Sequence, residues 1–213
     1  MNADGRLSLA WPLLFIAAAV VAATGWSMPA NHALYMWLTP LGRHLPEANF
    51  IWIIGGPPLT GLVVLLTAIR RRQFAWLWVF LGGVCLEVLT KHWIHASLPR
   101  ATPEPVWLAR IESWASPSAH RALAVLGRVL HLRRTSTATG GFFHSSFFSG
   151  HVFRLTFTVS MLVPGRRWVP WIVALAAGIL VVATGGHWAW DVVGGFLAAR
   201  SGLALVHRTR VHR

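Results

Sequence analysis

Apolar positions gather into six long runs, at 7–28, 50–69, 74–89, 151–163, 168–183 and 188–205, separated by basic, polar or proline-containing stretches. A helix needs about 20 apolar residues to cross a hydrocarbon core of roughly 30 Å, and most of these runs approach that length. The fourth is short, so it is predicted either to begin upstream within 142–148 or to sit tilted with its start in the interface. Arg6 ahead of the first run, and Ala22 and Ala23 near its end, are also features of a secretory leader; the run is long for a leader core and is read as a span. Between the third and fourth runs, 106–114 and 120–132 space their apolar residues at helical period with arginines on the other faces, which predicts short interfacial helices. Pro99, Pro103, Pro105 and Pro117 interrupt that segment, and the small polar residues of 135–141 predict a flexible approach to the next helix. The expected fold is all-α: one polytopic membrane domain over 1–213, with about six transmembrane helices and short interfacial helices in the third loop.

Composition strengthens this picture, since 55% of the residues are hydrophobic and only 12% charged. The formal net charge of +13 is compatible with nucleic acid, anionic lipid or an anionic substrate. Nucleic acid is disfavoured, because the basic residues occupy the gaps between apolar runs and line no single soluble face. With Arg70, Arg71, Arg72, Arg166, Arg167, Arg208, Arg210 and Arg213 on the cytoplasmic side, the chain obeys the positive-inside rule. The segment 91–150 and the turn 184–188 then share the outer face of an inner or plasma membrane. Trp26, Trp93, Trp168, Trp171 and Trp188 stand near predicted helix ends, where amphipathic rings favour the interface. The single cysteine, Cys85, falls in an apolar run and can form no intramolecular disulfide.

The six acids are scarce enough that each needs a reason, and only Glu87 and Asp191 lie within or against apolar runs. Asp191 follows His187 by four residues, on one face of the opening turn of the last helix. A carboxylate there can hold the imidazole tautomer and sharpen the other nitrogen as base or nucleophile; equally, it can cap the helix. Ser149, Gly150 and His151 open the fourth run, where glycine beside a hydroxyl and an imidazole offers N–H donors to an anion, or makes a simple flexible helix start. Lys91 ends the third run and Arg100 follows Pro99; both can hold phosphate oxygens, snorkel to headgroups or, for Lys91, pair with Glu87 four residues earlier. Arg154, one turn after His151, is a further cation in an apolar setting, directed either at the same site or outward to the interface.

Lys91 with Pro99, Ser149–Gly150–His151, and His187 with Asp191 together resemble the phosphatidic acid phosphatase type 2 superfamily, whose pattern is K-x6-R-P, then P-S-G-H, then S-R-x5-H-x3-D. The order of the motifs, their placement at helix ends and the long third loop all match. Three positions depart from the pattern: Leu98 stands at the first motif's arginine with Arg100 two residues on, Phe148 replaces the proline before Ser149, and Leu180 and Val181 stand at the third motif's Ser-Arg.

The resemblance implies a lipid phosphate phosphatase acting through phosphohistidine, with His187 as nucleophile, Asp191 orienting it and His151 as general acid. Lys91, Arg100, Ser149 and Gly150 would hold the phosphate, with Arg154 compensating for the missing arginine. No cofactor or metal is implied, and the partners are a phospholipid or isoprenoid-phosphate substrate and the bilayer, with no nucleic acid. The absent third-motif arginine also resembles the sphingomyelin-synthase branch, whose head-group phosphotransferases pair S-G-H with H-x3-D. A metal or haem site built on His92, His95, His144, His151 and His187 is a weaker alternative, since Lys91 adjoins the first of these and no cysteine or carboxylate joins the His92/His95 pair.

Overall fold

The computed structural model describes residues 3–94, 146–166 and 168–211. The predicted interfacial helices at 106–114 and 120–132, the stretch 135–141, and Arg100, His95 and His144 lie outside these. Among the described residues the chain is all helical. In order come α1 (Ala3–Thr24), α2 (Met28–His44), a 3-10 turn (Pro46–Asn49), α3 (Phe50–Ile54), α4 (Pro57–Arg71), α5 (Phe74–Trp93), α6 (Gly150–Leu162), α7 (Val169–Ala183) and α8 (Ala189–Val211).

By length and apolarity, α5 and the Ala189–His207 part of α8 suffice to cross a membrane, and up to four spans result if two bent pairs each count as one. One pair is α1 with α2, bent by 88°, and the other is Glu47–Ile54 with α4, bent by 48°. The first bend follows from Gly25, whose φ of 75° ends α1 in a conformation that costs glycine little. The predicted first run therefore stops at this turn and does not continue to Met28. The second bend falls at Gly55–Gly56, with Pro57 and Pro58 opening α4, where proline's fixed φ suits a first turn.

Helix α6 organises the bundle. It packs against α4, α5, α7 and α8, and every residue from Val152 to Thr158 is buried. A helix enclosed on all sides needs no polar stripe. Phe153, Phe157 and Met161 join Phe15 of α1, Val64 of α4, Phe80 of α5 and Leu203 of α8 in one core, while Val152 and Leu155 pack with Ile51, Ala177 and Val181 in another. Residues 146–149 are not helical, so α6 gains no upstream extension over them. At its far end the Arg71 guanidinium donates to the Met161 carbonyl at 2.7 Å, satisfying one of the terminal carbonyls a helix leaves unpaired. The arginine-rich end of α4 and the His151 end of α6 are thus opposite ends of the bundle.

Candidate functional site

The start of α6 is fixed by its cap. Ser149 has an extended ψ of 106° and its Oγ accepts from the Val152 N–H at 3.5 Å, as an N-cap serine does. Its own N–H donates to the Asp191 carbonyl at 2.9 Å, tying the beginning of α6 to the first turn of α8. Gly185, at φ 79°, turns the chain after α7, and the Gly186 and His187 N–H groups both donate to the Val181 carbonyl, which holds His187 inward. Asp191 then serves two partners. Its Oδ2 accepts from the Trp188 N–H at 2.8 Å, the return half of a capping box, and lies 3.4 Å from His187 Nδ1. One carboxylate oxygen thus accepts from the Trp188 N–H at the start of α8 and also lies against His187 Nδ1, the two arrangements left open by the sequence.

These anchors bring the two predicted histidines together. The His151 and His187 rings are 6.1 Å apart between centroids at 62° to one another, and Trp52 of α3 lies against both, edge-on to His151 at 4.5 Å and near-parallel to His187 at 6.1 Å. His187 and Asp191 are buried. Burial lowers the pKa of His187 below the 6.5 of an unperturbed imidazole, opposed by its hydrogen bond to Asp191 and that group's charge.

Two of the predicted cations, Lys91 and Arg154, converge on Glu87. Lys91 Nζ is 2.7 Å from Glu87 Oε1, and the Arg154 guanidinium is paired with Oε2. Arg154 Nε also donates to the Gly55 carbonyl at 2.8 Å, inside the bend between α3 and α4. Arg154 is only 3% exposed, so it points into the bundle beside His151 and does not snorkel outward. A Cβ placed on Gly150 would overlap the Glu87 carboxylate, so that carboxylate lies directly against the first residue of α6. Of the predicted site residues, His151, His187, Asp191, Ser149, Gly150, Lys91 and Arg154 thus gather around the start of α6.

Sequence reasoning missed three contributors: Trp52 between the histidines, the Gly55 carbonyl, and Glu87 as the hub of two cations. Of these only Glu87 carried a local signal, its spacing from Lys91 and its rarity in an apolar run. Among the described residues no three His, Cys, Asp or Glu side chains converge as a metal-ligand set. At the third-motif arginine position, Val181 is fully buried in the core. No family model, curated protein or solved structure matches this chain.

Proposed function

We propose that the chain is a membrane-embedded lipid phosphate phosphatase that works through a phosphohistidine at the outer face of an inner or plasma membrane. Its six crossings would be α1, the α3–α4 pair, α5, α6, α7 and α8, of which α6, the shortest, is enclosed by protein along 152–158. The observation that carries the reading is the facing pair of His151 and His187, the second bonded to a buried carboxylate. With Nδ1–H donated to Asp191, His187 keeps its Nε2 lone pair for attack on phosphorus. As the N–P bond forms, the bond from phosphorus to the lipid oxygen breaks and His151 gives that oxygen a proton. Water then attacks the phosphohistidine, His151 takes the water's proton, and phosphate leaves with His187 restored. Lys91, Arg100, Ser149, the Gly150 N–H and Arg154 would surround the equatorial oxygens.

A head-group phosphotransferase is the second reading, supported by one specific observation. Val181 occupies the third-motif arginine position within the core, and Arg154 is already engaged by Glu87 and Gly55. Few cations remain for a doubly charged monoester, which approaches two negative charges near neutral pH. Purified protein in detergent, offered a panel of lipid monoesters, diphosphates and diesters with and without an acceptor alcohol, separates the two. Free phosphate without acceptor is expected of the phosphatase, and transfer that depends on acceptor would replace it with the second reading. Turnover of none of these lipids would remove both.

A further inference from the structure

Lys91 from the end of α5, Arg154 from α6 and the first N–H groups of α6 compose the donor set expected around a phosphate. Its centre is already filled by a protein anion. Glu87 presents one oxygen to Lys91 and the other to Arg154, with its carboxylate against Gly150, and the side chain is 9% exposed. An ionised carboxylate is costly at such depth unless paired, and here it is paired twice.

We propose that Glu87 is a specificity-determining residue that adjusts this site to singly charged phosphoryl groups, an inference that rests on the phosphoryl-transfer reading above. Among Glu87 and the two cations it touches a single positive charge remains, one less than a neutral residue at 87 would leave. Asp191 does not alter that balance directly, since its oxygen is turned to His187 and the Trp188 N–H. A phosphodiester, with about one negative charge, neutralises such a cluster, whereas a monoester approaching two leaves a negative charge uncompensated where dielectric screening is weak. Glu87 therefore sets the charge the site accepts, without touching the reacting phosphorus, by holding Lys91 and Arg154 and cancelling one of them.

The test compares a short-chain phosphatidate, a monoester, with the matching phosphatidylmethanol, a diester, in wild type and in Glu87→Gln, Lys91→Gln and the double variant. Glu87→Gln keeps the side chain's size and an acceptor oxygen but adds one net positive charge. It is expected to move the ratio of kcat/KM values toward the monoester by about tenfold or more, the size of one charged hydrogen bond. Lys91→Gln should move the ratio toward the diester, and the double variant, with the wild-type charge sum restored, should return it close to the starting value. A merely structural role for Glu87 would lower both substrates together and leave the ratio in place, which overturns the inference. If Glu87→Gln does not insert or fold, Lys91→Gln alone decides, an unchanged ratio counting against the idea. Absence of turnover for both lipids in wild type would overturn the phosphoryl-transfer reading itself, a result distinct from turnover with a fixed ratio.

Discussion

Burial disfavours the imidazolium form of His187, while the Asp191 carboxylate favours it; burial prevails, and the pKa lies below 6.5. Two expectations follow at the scale of single residues. On the proposed phosphohistidine reading a neutral His187 would be the attacking species, so the acid limb of the kcat/KM profile should fall at a pH below 6.5. Asp191→Asn removes the carboxylate charge and its charged hydrogen bond, leaving only the Glu87 charge to raise the pKa, so that limb should move to lower pH while the plateau drops by about a hundredfold or more. An acid limb that shifts upward in Asp191→Asn would contradict the assignment. Stability follows the same sign. Because the unfolded chain binds the proton more readily, His187 costs the fold nothing above pH 6.5 and destabilises it as pH falls from there toward the folded pKa. His187→Ala and His151→Ala should each give inserted, folded protein whose activity is lower by roughly 10²–10⁴-fold or more. Near-normal turnover in either variant removes that histidine from the chemistry.

At the scale of helices, what the sequence reveals depends on whether the cause is local. The runs at 74–89, 168–183 and 188–205 appear as α5, α7 and α8 because apolarity over a helix length is a local property. The cap at Ser149 and the His187–Asp191 spacing are local for the same reason, so most of the candidate site was legible. Helix α2 was not. Asn31, His32, Thr39, Arg43 and His44 make 28–44 too polar for a span, and it is held by contacts with distant elements, including the Trp190 N–H donating to Asn31 at 2.9 Å. The Arg154 bond to Gly55 joins residues 99 apart in the chain, beyond any periodicity argument, and Trp52 reaches the histidines only through the bend at Gly55–Gly56. That bond and the Glu87 pair fasten α6 to α3 and α5. Arg154→Leu cuts both and leaves the Gly55 carbonyl without this donor, while Glu87 keeps Lys91. The expected loss is roughly 3–5 kcal/mol, as when one partner of a buried ion pair is removed. Thermal unfolding in detergent should show a clearly lowered midpoint, and an unchanged one would mean that the fastening contributes little.

At the scale of the whole molecule, the arrangement has two unlike ends. Arg71 caps α6 at Met161, beside Arg70 and Arg72, and Arg166 follows in the next turn; His151, His187, Asp191 and the Glu87 cluster stand at the other end of the same helix. Positive charge flanking a span tends to be retained on the cytoplasmic side, so on the proposed reading the arginines at 70–72 and 166 would face the cytoplasm and the histidines would face outward. The site would then meet phosphate groups of the outer leaflet, and its substrates would be lipids presented there. Single cysteines in a Cys85→Ser background, reacted with a membrane-impermeant maleimide on intact cells, test this orientation. Thr137→Cys, in the segment leading to α6, is expected to label from outside, and Gln73→Cys, between α4 and α5, only after the membrane is permeabilised. The opposite pattern would place the histidines in the cytoplasm and replace outer-leaflet lipids with inner-leaflet ones, even with the chemistry at His187 unchanged. Labelling at both positions from outside would mean that α5 does not cross, and the six-span arrangement would fail with it.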